Sequence, residues 1–346
     1  MKAALYSGPK DLRIVEVEKP TAGPGELLIR IRACATCGTD AKIFNHGHPR
    51  LQPPQIIGHE IAGEIVEIGT GVTGFESGDR VQVIAAIPCG ECWACRAGKM
   101  QICINQLSMG YQFPGGFAEY MVIPNEVVRV NGVNRIPDGL SFEEAAAAEP
   151  LACALNAQEL VGVGVGDVVL VMGAGPIGCM HVRLARALGA ESVMLADINS
   201  GRLQLSANAV SPDAVIDMSA VDIEAEVARL TGGLGPSVVI TAAPSGVAQE
   251  QAIRMLRPGG RVSFFGGLPK DKPMISVDSN LVHYKELILA GANGSSPDHN
   301  RRALELMASG RVPVADLLTH KVSLTDVGKA IDLVLSGEAI KVVVVP

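Results

Sequence analysis

The hexapeptide Gly173-Ala-Gly-Pro-Ile-Gly178 constrains the fold of this chain more than any other stretch. It follows Val168-Val-Leu-Val-Met172, an apolar run short enough for a buried strand, and it opens a segment, 176–189, that reads as a helix. The residues beyond keep the alternation. Ser192–Ala196 reads as a second strand and Arg202–Ala209 as a second helix. Further apolar runs stand at Ser237–Thr241, Arg261–Phe265 and Leu287–Ala290, with helical segments between them. Strand and helix in alternation imply an α/β fold whose parallel sheet is covered on both faces.

Glycines in this position let a backbone come close to a pyrophosphate, which rests on the helix N-terminus where free N–H groups and the dipole favour anions. Gly173, Gly175 and Gly178 frame Pro176 and Ile177 at that helix start, and Asp197 lies 19 positions after the last glycine, at the end of the next strand. That context is the dinucleotide-binding fingerprint. Asp197 is placed to accept hydrogen bonds from the adenosine ribose. A carboxylate there repels a 2′-phosphate, so NAD is expected over NADP, with Arg202 close enough to bear on that preference.

Upstream the character differs. Residues 1–130 read as short strands broken by Gly and Pro, among them Glu26–Ala33, Ile61–Ile68 and Arg80–Ile84, with no helical periodicity of useful length. Near Ser141 a capped, alanine-rich helix begins and runs through Ala148, with Glu149-Pro150 inside it or at its edge. After Ser295 come helices near Asn300–Met307 and Asp326–Leu335 and a last strand, Lys341–Val345, which are expected to return to the first domain.

A formal net charge of −7 argues against a nucleic-acid partner, because phosphate binding wants a basic surface. No apolar run is long enough to span a bilayer, and the first residues carry no secretory pattern, so a cytoplasmic protein is expected. In such a setting clustered thiols point to metal or catalysis rather than cross-links. Cys89, Cys92, Cys95 and Cys103, in an irregular lobe at 88–104, have the spacing that wraps one tetrahedral Zn²⁺ with no open position, a structural site. A second group is more open. Cys37 and His59 supply two zinc-binding side chains, and Glu60 or Glu149 a third, leaving a position for water or substrate. Strand alternation from residue 28 sends Cys34 into the core, and Cys153 and Cys179 read as small buried hydrophobes.

These residues resemble the zinc-dependent medium-chain alcohol dehydrogenases, over essentially the whole chain. The resemblance is carried by Cys37-Gly-Thr39-Asp, Gly58-His59-Glu60-x2-Gly63-x-Ile65-Val66, Gly78-Asp79-Arg80-Val81, the four-cysteine lobe, Gly115-Gly116-Phe117-Ala118-Glu119-Tyr120, Glu149-Pro150 and Gly173–Gly178. It implies a GroES-like β-rich catalytic domain, 1–150 and 292–346, split around a Rossmann NAD-binding domain at 151–291, with the active site in the cleft. By the family pattern Cys37 and His59 bind the catalytic zinc, with Glu60 adjacent, so that each chain holds two zinc ions, one catalytic and one structural. Glu149 stands where simple alcohol dehydrogenases carry a cysteine, which looks like the polyol (sorbitol) and threonine dehydrogenase branch.

The implied reaction passes hydride from a secondary alcohol, expected to be a polyol, to NAD, with Thr39 accepting the alcohol proton. Many relatives end the proton relay with a histidine at the position of Lys42; His46, His48 and bulk water are the alternatives here. Lys42, Asn293, Tyr111 and Phe113 are candidates for the pocket wall. Threonine or a sugar phosphate is the alternative substrate, and a nucleotide-binding relative without catalysis is the non-enzyme alternative. A homo-oligomer, tetramer or dimer, is implied, with apolar strands late in the Rossmann domain as candidate contacts.

Overall fold

A computed structural model describes residues 1–346. The chain divides into two compact units, Met1–Ala152 with Gly294–Pro346, and Cys153–Asn293.

The second unit is built on six parallel strands in the order Ala214–Asp217, Ser192–Asp197, Val168–Met172, Val238–Thr241, Arg261–Phe264, Ile288–Gly291. Numbered along the chain this is 3-2-1-4-5-6, the Rossmann order, with the topological switch between the first and fourth strands. The inner strands are apolar on both faces because helices cover both. At the turn out of Val168–Met172, Gly173 has φ +119, a conformation open to glycine. A Cβ on Gly178 would stand 1.8 Å from the Gly173 carbonyl oxygen, so the helix Pro176–Ala187 approaches its strand at a distance only glycine allows. Gly178→Ala is therefore expected to cost roughly 3 kcal/mol of stability and to weaken dinucleotide binding, checked by denaturant unfolding and cofactor titration.

The same helix buries His181 completely. Gln158 Nε2 lies 3.1 Å from its Nδ1 and donates to its carbonyl at 2.8 Å, and the ring meets Phe265 edge-on at 4.9 Å. Burial pushes this imidazole down from 6.5 to about 3. The native state thus keeps His181 neutral while the unfolded chain takes up a proton below about pH 6.5. Its contribution is complete above that pH and is lost as pH falls toward 3, at up to about 1.4 kcal/mol per pH unit. Urea unfolding at several pH values should show a shallower acid loss for His181→Leu than for the unmutated protein.

In the first unit the central strand is Leu27–Ala35. It pairs antiparallel with Glu60–Ile68, Tyr120–Ile123 and Val342–Val345 in a seven-stranded sheet completed by Arg80–Val83, Val133–Arg135 and His320–Ser323. A smaller sheet centres on Lys2–Gly8, and Ala86–Ile87 pairs with Leu107–Ser108 at the four-cysteine lobe. Leu27, Ile29, Ile61, Ile65, Val81, Phe117 and Val342 lie in one core.

Several expectations are corrected. Residues 1–130 do contain a helix of useful length, Gly38–His46, whose start is set by Asp40 rather than by an apolar stripe. The alanine-rich stretch is two helices, Phe142–Ala146 and Ala148–Leu160. Pro150 falls in the first turn of the second, where its missing N–H has no partner to lose, so Glu149-Pro150 lies inside a helix at its N-terminal edge. Ser141 caps Phe142–Ala146 as expected, accepting from Glu144 N while the Glu144 carboxylate accepts from Ser141 N. Cys34 and Cys179 are buried, whereas Cys153 is only half-buried.

Candidate active site and structural metal centre

The candidate active-site residues are delivered by register. Ala35 pairs with both Glu60 and Val343, so the end of the central strand brings the start of Glu60–Ile68 and the last strand together. Thr36 is then fixed to the Val342 carbonyl by its N–H (2.9 Å) and its hydroxyl (3.1 Å). The next residue, Cys37, is the N-cap of Gly38–His46. Its N–H donates to Asp40 Oδ2 at 2.8 Å, a carboxylate in the first helical turn where the dipole favours negative charge. The other oxygen of Asp40 faces His59 Nδ1 at 3.4 Å.

Gly58 makes the approach of His59 possible. It has φ +92, and a Cβ there would stand 2.9 Å from both Cys34 Sγ and Phe117. The Gly115-Gly116-Phe117 segment wraps this point, donating N–H groups to the Ile56, Gly58 and Ile57 carbonyls. The result is that donor atoms of Cys37, His59 and Glu60 all lie within 4.8 Å of one another. Burial opposes protonation of His59, but the Asp40 carboxylate outweighs it and raises the pKa well above the ordinary value. A divalent cation would take that proton's place. With Nδ1 turned to Asp40, Nε2 is the ring nitrogen left for a metal.

Glu60 and Lys341, both buried, form an ion pair in which Nζ donates to Oε1 at 2.6 Å. Burial, opposed by Lys341 and aided by the negative field of Glu149, pushes Glu60 up to about 7. Glu149, also buried, is thus near Glu60 but outside the tight group of donors. Three buried carboxylates, Asp40, Glu60 and Glu149, face one lysine and one imidazole. That surplus of negative charge, together with a thiol, suits a resident divalent cation, and soft-plus-hard donors of this kind suit zinc.

Thr39 is half-buried in the first turn after Cys37, and Lys42, one turn further along the helix, is exposed. His46 is exposed at the helix end; His48 lies edge-on to Tyr111, 4.9 Å between ring centroids. Of the other wall candidates, Phe113 packs on the core and Asn293 is exposed.

The second metal group is complete. The sulfurs of Cys89, Cys92, Cys95 and Cys103 lie within 4.8 Å of one another, with Cys92 3.5 Å from Cys95 and 3.8 Å from Cys103. Bonds of about 2.3 Å in a tetrahedron place sulfurs ~3.8 Å apart. Backbone N–H groups already point at these sulfurs, Cys89 N to Cys103 at 3.2 Å and Cys92 N to Cys89 at 3.3 Å. Donation from the backbone at Cys95 lowers the Cys92 thiol to about 6.

In the second unit Gly175 caps Pro176–Ala187, and a Cβ on it would meet nothing within 4 Å, so the space before the helix is open. A cavity of about 450 Å³ lies beside it, lined by Gly173, Asp197, Ile198, Arg202, Ala243 and Val247 among others. Ile177 is half-buried. Asp197 accepts from Ala174 N at 2.7 Å and Asn199 N at 2.8 Å, and Arg202 clamps both its oxygens. Burial opposes its ionisation, but these donors hold Asp197 below the usual carboxylate range. The strand end, the bare glycine turn and the carboxylate fit a dinucleotide.

Two family models match the chain, the alcohol dehydrogenase GroES-like domain over residues 23–132 and the zinc-binding dehydrogenase over 176–309. An L-threonine 3-dehydrogenase of Pyrococcus furiosus is 38% identical over 99% of this chain and 98% of its own. A sorbitol dehydrogenase of Halalkalibacterium halodurans is 33% identical over 100% and 99%. Among solved structures, a protein described as a zinc-binding dehydrogenase from Sinorhizobium meliloti 1021, bound to NADP, superposes with a TM-score of 0.91 at 31% identity, covering 100% of this chain and 99% of that one. The chain belongs to the medium-chain zinc alcohol dehydrogenase family, and it is an oxidoreductase.

Two residues of the site escaped sequence reading, Asp40 and Lys341. Asp40 had a local signal, an acid three positions after Cys37 that suits a helix cap. Lys341 had only its isolation, one charge at the head of Val342–Val345. No helix is long and apolar enough to cross a membrane.

Proposed function

We propose that this chain oxidises a secondary alcohol of the polyol class, with Cys37, His59 and Glu60 as the protein ligands of a catalytic zinc, Glu149 as the nearby second carboxylate, and NAD as the hydride acceptor. The observation that carries the reading is the convergence of thiol, imidazole and carboxylate within 4.8 Å in a buried setting rich in negative charge. When bound, zinc supplies Lewis acidity that lowers the pKa of a substrate hydroxyl, and the dinucleotide takes up the hydride. The protein does the rest. Asp40 orients His59, and Lys341 balances Glu60. Thr39 receives the hydroxyl proton, and exposed Lys42 on the next turn marks its way to water. The four-cysteine group holds the second, structural zinc and keeps the 88–104 lobe in shape.

The kinship with an L-threonine 3-dehydrogenase supports a second reading, threonine as substrate. A carboxylate-bearing substrate wants a cation at the site. Lys341, the cation buried beside the donor group, is already paired with Glu60, which favours the uncharged polyol. A panel of polyols, simple secondary alcohols, sugar phosphates and threonine, followed by reduction of the nicotinamide, tests this. Turnover of polyols is expected; turnover of threonine alone would replace the first reading by the second.

For the cofactor, NAD is expected to be used better than NADP, because the Asp197 carboxylate lines the cavity at the end of the second strand, where a 2′-phosphate would be repelled. Asp197→Ala should narrow that preference about tenfold, and equal use of both cofactors by the unmutated protein would contradict it. A homo-oligomer, dimer or tetramer, is also proposed, with the edge strand Ile288–Gly291 as contact; its free edge and the exposed Ile288, Met274 and Tyr284 support this. A cytoplasmic location is also proposed, on the absence of a long apolar helix and a secretory pattern.

A further inference from the structure

Tyr111 takes no part in the chemistry described above, yet it is held beside it. Its ring centroid is 6.4 Å from that of His59, tilted by 55°, and 4.9 Å from that of His48 in an edge-on contact. The backbone around it is tied to the segment 50–55 at three points. Gln55 Nε2 donates to the Tyr111 carbonyl at 2.9 Å, Gln112 Nε2 donates to the Arg50 carbonyl at 2.8 Å, and Arg50 Nη2 donates to the Gln106 carbonyl at 2.7 Å. Gln112 also accepts from Ser108 N at 3.0 Å. These ties hold the segment that carries Tyr111 against the segment 50–55.

The hydroxyl at the end of this ring makes no hydrogen bond within the protein, and the residue is half-buried, so the group is not sealed in the core. It stays a neutral donor over the working range. A phenol without a partner, beside candidate metal-binding side chains, is suited to recognise a second polar group on a substrate.

We propose that the Tyr111 hydroxyl positions the substrate by hydrogen-bonding a second hydroxyl on a carbon neighbouring the one oxidised, which makes vicinal diols and polyols, not simple alcohols, the preferred class. The assignment rests on the reading that an alcohol reacts beside Cys37 and His59. Tyr111→Phe removes the hydroxyl and keeps the ring that packs on His48. A direct test compares this variant with the unmutated holoenzyme on 2,3-butanediol and on 2-butanol, with NAD saturating and zinc content measured in parallel.

The expected result is a fall of about tenfold in the ratio of kcat/KM for the diol to that for the mono-alcohol, expressed in KM, with the 2-butanol rate and the zinc content unchanged. Equal losses on both alcohols, or no change on either, would overturn the proposal, since a merely structural role would not separate the two substrates. A second measurement does not depend on turnover: the diol should raise the thermal midpoint of the zinc-loaded protein, and Tyr111→Phe should abolish that shift. If neither alcohol is oxidised by the unmutated protein, the polyol reading falls, and the fate of the diol-induced shift in Tyr111→Phe still decides the role of Tyr111. Loss of the shift supports it, and an unchanged shift overturns it.

Discussion

Replacing Cys37 with serine is expected to lower kcat/KM by about three orders of magnitude and to reduce bound zinc from two ions per chain to one. The thiolate is the soft member of the Cys37–His59–Glu60 donor group, and a serine hydroxyl is a poor substitute for it at neutral pH. Loss of Lewis-acid stabilisation removes several kcal/mol from the transition state, and ~4 kcal/mol corresponds to about a thousandfold in rate. The substitution isolates the metal from the fold. Cys37 is the N-cap of Gly38–His46, and serine is a preferred residue at that position, so the helix start is kept or improved. The Cys37 N–H still donates to Asp40. The four-cysteine group retains its ion. Metal analysis alongside steady-state kinetics checks the pair of outcomes.

The second large effect is on stability. Lys341→Met should destabilise the protein by about 3–5 kcal/mol, because it leaves the wholly buried Glu60 carboxylate without its cation while Glu149 remains close by. Methionine matches the lysine stem in length and fills the same space, so the loss reports the charge rather than a cavity. The double variant Lys341→Met with Glu60→Gln should recover much of that loss, since the uncompensated charge is then gone. Denaturant unfolding of the two single variants and the double variant closes the cycle. A double variant no more stable than Lys341→Met would mean that the lysine acts through something other than Glu60.

What could be read from the amino-acid order was what depends on neighbours in the chain. Gly173–Gly178 lies between an apolar strand and a helix, with Asp197 at a fixed distance beyond, and the six-stranded parallel sheet follows from that repeating local pattern. The four cysteines from Cys89 to Cys103 are local in the same way. The helix Gly38–His46 was not legible. It is short, its apolar face is slight, and its start depends on Asp40 capping a cysteine. The two helices around Ala147 were fused because alanine favours helix throughout and the break there leaves no compositional mark.

The pairing of Glu60 with Lys341 was beyond reach for a different reason. The two stand 281 positions apart, and they meet only because Ala35 is in register with both Glu60 and Val343. Strand register is a property of the folded sheet, set by which faces are buried, and no spacing in the sequence records it. Tyr111 could be named from the sequence as a candidate for the pocket wall, but its place beside His59 and His48 depends on ties between two loops that no spacing records.

The most direct test of the account is anomalous X-ray diffraction at the zinc absorption edge from crystals of zinc-loaded protein. Two peaks per chain are predicted, one enclosed by Cys89, Cys92, Cys95 and Cys103, the other within bonding distance of Cys37 Sγ and His59. A single peak at the four cysteines, in protein that still oxidises alcohols at full rate, would contradict the catalytic role assigned to Cys37 and His59.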